Sequence, residues 1–167
     1  MLLLDKIFDM NDSLKSGLTF GLASGVITTL GLIIGLYFGT SSREVVLAGI
    51  ITIAFADALS DAFGMHLSVE AKLNHKDHEV MHSATSTFAA KLLIALTFAV
   101  PVLLIGLDCA ILVCIVWGAI LLSGVSVLIA RQKKEKGVKI VIEHLIIAGI
   151  VIAVSFGIGT MLSLFVL

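Results

Sequence analysis

Long runs of apolar residues, separated by short polar stretches, make up most of the chain. Five of these runs can cross a lipid bilayer, because a spanning helix needs about 20 mostly apolar residues. Since the connections are short, the pattern predicts a single-domain, all-α membrane protein with five transmembrane helices. The predicted spans cover residues 17–38, 45–69, 85–106, 109–130 and 141–165.

The residues before the first span, 1–16, follow a different pattern. Apolar Leu3, Leu4, Ile7 and Phe8 alternate with acidic residues, as is typical of a helix lying on a membrane surface. The segment lacks the basic start and long apolar core of a signal peptide. We therefore expect an amphipathic segment at the membrane face.

The composition agrees with this pattern. The chain is 59% hydrophobic and 14% charged, whereas soluble domains are about 45–50% apolar and about 25% charged. The sequence therefore predicts an integral membrane protein, in the cell membrane if the source is prokaryotic. Membrane lipid is an expected partner, whereas nucleic acid is not. We expect no enzymatic activity.

The basic residues are distributed unevenly between the two sides of the predicted spans. Arg43 is alone on one side, and Lys91, within the third span, is expected to extend its side chain to the other side. Cytoplasmic loops carry an excess of Lys and Arg, so the N-terminus is predicted to be cytoplasmic. The nine basic residues on the cytoplasmic side are Lys6, Lys15, Lys72, Lys76, Arg131, Lys133, Lys134, Lys136 and Lys139.

Glycines recur every four residues along the first span, in two groups of three. Small residues at this spacing let two helix backbones approach closely in a membrane. The pattern indicates a helix at the centre of a bundle or across a dimer axis, and we expect a homodimer through the first span. The groups are Gly17, Gly21 and Gly25, then Gly31, Gly35 and Gly39.

Two aspartates lie near the middle of the second span. Asp57, Asp61 and Met65 are four residues apart, so they share one face of a helix. An aspartate at the centre of a spanning helix costs about 2.5–3.5 kcal/mol on insertion scales. No Lys or Arg is expected at the same depth, which leaves a metal ion or a proton to offset this cost. The alternative is two protonated aspartates hydrogen-bonded within the bundle.

A polar stretch after the second span supplies further candidate metal ligands. Its histidines have the three- and four-residue spacings that face each other on a helix, and carboxylates lie among them. The pattern predicts a cytoplasmic site that captures a metal ion, the alternative being a solvated linker. Together with two residues at the end of the second span, the candidates are His66, Glu70, His75, His78, Glu79 and His82.

Two other polar residues, Glu143 and His144, open the fifth span. Glutamate is favoured at a helix N-terminus, so this pair is interpreted as capping at the membrane boundary. A role at a pore entrance is the alternative.

Two long segments resemble the vacuolar iron transporter family. The first is "GLTFGLASGVITTLGLIIG" and the second is "AGIITIAFADALSDAFGMHLSV", and the likeness extends to Pro101 and to "EHLIIAGIVIAVSFGIGTML". Ser24 stands where the family usually has aspartate, and Gly64-Met65-His66 replaces its Gly-Glu-Tyr. The His-rich linker replaces the family's long Glu-rich cytoplasmic insert.

This resemblance implies a homodimer that moves Fe²⁺ or Mn²⁺ out of the cytosol, coupled to protons. The expected partners are the metal ion, protons and a second copy of the chain, with no permanently bound cofactor. Asp57, Asp61 and Met65 are the expected transport ligands. The alternatives are a non-transporting scaffold or metal sensor with the same fold, and a transporter of another cation.

Overall fold

Helices make up almost all of the described part of the chain. A computed structural model describes residues 12–72 and 76–166. Residues 1–11 of the expected amphipathic segment therefore lie outside the described residues. The helices are α1 Asp12–Thr40, α2 Arg43–Glu70, α3 Asp77–Thr97, α4 Ala99–Leu104, α5 Leu107–Lys133 and α6 Gly137–Val166.

Helices α3 and α4 together form one span, with a break at Phe98. Pro101 explains this break, because proline has no N–H to donate to the Thr97 carbonyl and its ring crowds that oxygen. The prediction of five spanning helices is confirmed, although the third begins at Asp77 instead of residue 85. The spans are Asp12–Thr40, Arg43–Glu70, Asp77–Leu104, Leu107–Lys133 and Gly137–Phe165.

Helix α1 lies at the centre of the bundle, where it contacts α2, α3, α5 and α6. Its first three glycines face α3: a Cβ at Gly17 would lie 2.1 Å from Ser86 Oγ, and one at Gly21 would lie 2.6 Å from the Thr87 carbonyl oxygen. The second three face α6. A Cβ at Gly31, for example, would lie 2.9 Å from a Val151 methyl carbon.

Of the two interpretations of the glycine pattern, central packing in a bundle is therefore the correct one. Both strips are covered by helices of the same chain, so they give no support to a dimer axis along α1. The prediction of a homodimer has to rest on other surfaces. The spacing alone could not distinguish the two interpretations, because helices that pack closely need small residues both within a protomer and between protomers.

The apolar core surrounds α1 and lies mostly towards the end of the bundle that is opposite the predicted cytoplasmic side. Phe98, at the helix break, is fully buried within it. Lipid is as apolar as these side chains, so their close packing, and not escape from water, holds the helices together. Other buried members include Val26, Ile33, Ile50 and Leu122.

Polar side chains replace this core on the face of α3 that meets the first half of α1. Ser83, Ser86, Thr87 and Lys91 are all buried there. The Thr87 hydroxyl donates to the Ser83 carbonyl at 2.8 Å and lies 3.1 Å from the Gly17 carbonyl oxygen. These contacts fix α3 against α1 and lead along the helix to Lys91.

Candidate functional site

Lys91 ion-pairs with both aspartates of the second span. Its ammonium nitrogen lies 2.5 Å from Asp57 Oδ2 and contacts Asp61 Oδ2. The lysine side chain is 1% exposed, against 29% for Asp57 and 20% for Asp61. The prediction that the two carboxylates share a face of α2 is confirmed by their common partner.

Ser24 of α1 completes the cluster. Its hydroxyl donates to Asp61 Oδ2 at 2.7 Å and accepts from the Lys91 ammonium at 3.0 Å. Gly25 makes room for the lysine stem, because a Cβ there would lie 3.3 Å from both Cα and Cγ of Lys91. Helices α1, α2 and α3 thus each contribute to one polar cluster.

The cluster lies halfway along each of its helices. Asp57 is at the middle of α2, which runs from Arg43 to Glu70, and Lys91 is at the middle of the span Asp77–Leu104. The expectation that Lys91 reaches the cytoplasmic side is therefore wrong, as is the expectation that no basic residue lies at this depth. Both errors arose because α3 begins earlier than its hydrophobic pattern indicates, so Lys91 lies deeper than expected.

The two carboxylates have different surroundings. Asp61 Oδ2 accepts hydrogen bonds from both Ser24 and Lys91. Asp57 Oδ2 is buried and, among the described residues, has no hydrogen-bond partner. The Lys91 ammonium is close to Asp57 Oδ2 but is not aligned for a hydrogen bond, so this contact is an ion pair alone. Asp61 is thus the more firmly held of the two.

Asp57 also lines an open groove between α1 and α2. The groove has a volume of about 600 Å³ and runs from Val45 and Leu36 to Asp57, with Thr52 as a further polar residue in its wall. It connects the cluster with the end of the bundle that is opposite the predicted cytoplasmic side. Asp57 is the charged residue in its wall, whose other members are apolar apart from Thr52.

The other candidate ligands at the cytoplasmic end of α2 have contacts or positions of their own, separate from this cluster. His66 stacks on Phe63, with 6.4 Å between ring centroids, and its Nε2 lies 3.6 Å from Glu70 Oε2. Met65 is half-buried on α2, one turn beyond Asp61. His66 and Glu70 are therefore close to each other on α2, while Met65 remains the neighbour of the acidic pair by position.

Three residues of the polar linker lie on α3. His78 and His82 are neighbours on its first turns, with 5.8 Å between ring centroids, and Glu79 lies between them in sequence. His75 lies outside the described residues. Among residues 12–72 and 76–166, no group of three or more His, Cys, Asp or Glu side chains is arranged to hold a metal ion.

His144 has a structural contact on α6. Its Nδ1 lies 2.8 Å from the hydroxyl of Ser126 on α5, while Glu143 is exposed. This hydrogen bond ties α5 to α6 near the predicted cytoplasmic boundary and favours a structural role for His144.

The sequence contained a signal for Lys91 that hydrophobic patterning did not use. Ser83, Ser86, Thr87 and Lys91 recur at three- and four-residue intervals and so mark one polar face of α3. A lysine on a polar face that extends into a span is expected to point into the bundle, since intramembrane charges face the interior and pair with one another.

Comparison with known protein families gives a match to part of the chain. The sequence model of the VIT family matches residues 16–82, which comprise most of α1, all of α2 and the start of α3. The match includes Ser24, Asp57 and Asp61, and Lys91 lies beyond it. The proteins of this family are membrane transporters of metal ions and not enzymes. No curated protein matches the chain.

Proposed function

Because the chain belongs to the VIT family, we propose that it carries a divalent transition-metal ion, Fe²⁺ or Mn²⁺, across a membrane. The observation that supports this proposal is the acidic pair of Asp57 and Asp61 at mid-span, with Asp57 at the edge of an open groove. Carboxylate oxygens suit divalent ions of this kind. The metal ion is cargo and not a resident cofactor.

The proposed direction is export from the cytosol, in exchange for protons. Intramembrane carboxylates are the usual carriers of protons in transporters, so the same pair can serve both ions in turn. Met65 extends the acidic face by one turn and is proposed as a further ligand. His66 and Glu70, with the linker residues His75, His78, Glu79 and His82, are proposed to attract the ion on the cytoplasmic side.

A homodimer is part of this proposal, with α2 as the helix that meets the partner. The outward face of α2 carries large exposed apolar residues beside the open groove. A second copy of the chain would cover this face and close the groove into a path. The residues concerned are Ile51, Phe55, Leu59 and Phe63.

Metal flux into sealed vesicles tests the proposed function. The purified protein is reconstituted, and Mn²⁺ entry is followed with a fluorescent indicator trapped inside. Asp57→Asn keeps the shape of the side chain and removes its charge, so transport should be lost. Glu44→Gln, which removes an exposed carboxylate at the end of the same helix, is the matched control. Wild-type flux through the Asp57→Asn protein would show that the acidic pair is not the transport site.

A second candidate function is a membrane scaffold that does not transport. The observation in its favour is that Lys91 already pairs with both carboxylates, so the cluster holds a cation of its own. The vesicle assay separates the two candidates, since a scaffold would give no Mn²⁺ flux in the wild-type protein. Competition by Ca²⁺ in the same assay tests whether another cation is the cargo.

A further inference from the structure

The ammonium group of Lys91 occupies the space that a metal ion would take. It lies between the Oδ2 atoms of Asp57 and Asp61, 2.5 Å from the first and in contact with the second. Divalent ions bind carboxylate oxygens at about 2.0–2.6 Å. A metal ion bound to the same oxygen atoms would coincide with the ammonium, so the two cations exclude each other.

The hydrogen bonds of the cluster indicate which carboxylate the lysine leaves. Asp61 Oδ2 accepts from both Lys91 and Ser24, and the Ser24 hydroxyl also accepts from Lys91. Asp57 Oδ2 has only the ion pair, without an aligned hydrogen bond from any described residue. Asp57 is also the carboxylate that lines the groove. The contact between Lys91 and Asp57 is therefore the one that an arriving ion can replace.

Resting on the transport function proposed above, we infer that Lys91 is a tethered counter-ion that competes with the transported metal ion for Asp57. When the site is empty, its ammonium bridges the two carboxylates. When a metal ion binds Asp57, the ammonium withdraws but stays with Asp61 and Ser24. The flexible four-carbon stem of lysine allows such a movement without a change in the helices.

This arrangement solves a problem that two carboxylates alone would create. Without Lys91, release of the metal ion would leave two adjacent negative charges in the middle of the membrane. Lysine reduces the formal charge of the empty cluster from −2 to −1. It also weakens metal binding, and transport requires a site from which the ion can leave again.

Two substitutions of Lys91 are expected to change metal affinity in opposite directions. Lys91→Leu removes the charged competitor and adds no atom that could bind the ion, so Mn²⁺ should bind about tenfold more tightly and turn over more slowly. Lys91→Arg keeps the charge and offers a planar group that pairs with two carboxylates at once, so Mn²⁺ should bind about tenfold more weakly. The affinity is measured by calorimetry on the protein in lipid nanodiscs, and turnover in vesicles.

Lys139→Leu is the matched control, because Lys139 is an exposed lysine at the start of α6. Its Mn²⁺ affinity should equal that of the wild type. If Lys91→Leu fails to fold, the double variant Lys91→Leu with Asp61→Asn restores the formal charge of −1 and keeps Asp57. That protein should bind Mn²⁺ more tightly than the Asp61→Asn single variant, in which Lys91 still competes for Asp57.

The outcomes distinguish failure of this inference from failure of the transport function. If the wild type transports Mn²⁺ and the Lys91→Arg and Lys91→Leu proteins bind it with unchanged affinity, Lys91 is only structural and the inference is wrong. The same conclusion follows if the double variant binds no more tightly than the Asp61→Asn single variant. If the wild type neither binds nor transports Mn²⁺ or Fe²⁺, the proposed function fails and the inference fails with it.

Discussion

Lys91 donates to Ser24, and Ser24 donates to Asp61, so three helices share one set of polar contacts within the membrane. An intramembrane charge is costly, and it is retained where it finds a partner. Here each charged residue of the cluster has an oppositely charged partner, which explains how a highly apolar chain can hold two aspartates in mid-span. The free-energy cost of placing either carboxylate in the membrane therefore depends on the presence of Lys91. The cost of placing Lys91 there depends in turn on the two carboxylates.

Single and double substitutions of the aspartates should differ sharply in stability. In Asp57→Asn or Asp61→Asn, Lys91 keeps one carboxylate, and the protein should fold with stability close to that of the wild type. In the double variant Asp57→Asn with Asp61→Asn, the buried ammonium has no counter-charge. This should lower the free energy of unfolding by about 3–5 kcal/mol. Thermal unfolding, followed by Trp117 fluorescence, measures the difference. Adding Lys91→Met to the double variant should restore stability, and a double variant as stable as the singles would contradict the ion-pair assignment.

Ser24→Ala should also weaken the cluster, although less strongly. The hydroxyl is both a donor to Asp61 and an acceptor from Lys91, and leaving such partners unsatisfied costs about 1–3 kcal/mol. Ser60→Ala is a suitable comparison, since Ser60 is exposed on α2. Equal melting temperatures for the two variants would mean that the Ser24 hydroxyl contributes nothing to the cluster.

At the scale of the elements, the packing of α1 sets the geometry of the site. The absence of side chains at Gly21 and Gly25 lets the backbones of α1 and α3 approach, and Lys91 then reaches Ser24 and Asp61. Hydrophobic patterning predicted the five spans because each is a nearly continuous apolar run. It failed at the start of α3, because the first turns there are polar and look like a linker. Periodicity alone could not reveal which helix the glycines of α1 would contact, since the same spacing serves any close partner.

Gly21→Ala should therefore disturb the bundle. The new Cβ would lie 2.6 Å from the backbone carbonyl of Thr87, which cannot move without displacing α3. The expected loss exceeds the gain of about 0.5–1 kcal/mol that alanine usually brings to a helix. Gly157→Ala, where no heavy atom lies within 4 Å of the new Cβ, should be neutral or stabilising. If both variants melt alike, the tight contact between α1 and α3 is absent.

At the scale of the whole molecule, the helices differ in how much of their surface the chain itself covers. Only 11% of the most apolar part of α6 and 22% of that of α2 is buried, against 50% for α1. Lipid can cover α6, but α2 carries the groove that leads to Asp57. The sequence alone could not separate these surfaces, because apolar residues that face lipid and apolar residues that face a partner have the same composition.

The proposed homodimer can be located by cysteine cross-linking in membranes. In a background lacking Cys109 and Cys114, a single cysteine at Phe55 on α2, or in a second variant at Leu59, should form a disulfide with its copy in the partner when an oxidant is added. A cysteine at Ile150, exposed on α6, serves as the comparison, because that face is expected to contact lipid. If only the α2 cysteine cross-links, the partner lies over the groove beside Asp57, and the groove of each protomer is shielded from lipid. Cross-linking at Ile150 and not on α2 would put the partner on the far side from the groove, and the path to Asp57 would then have to be formed by one chain.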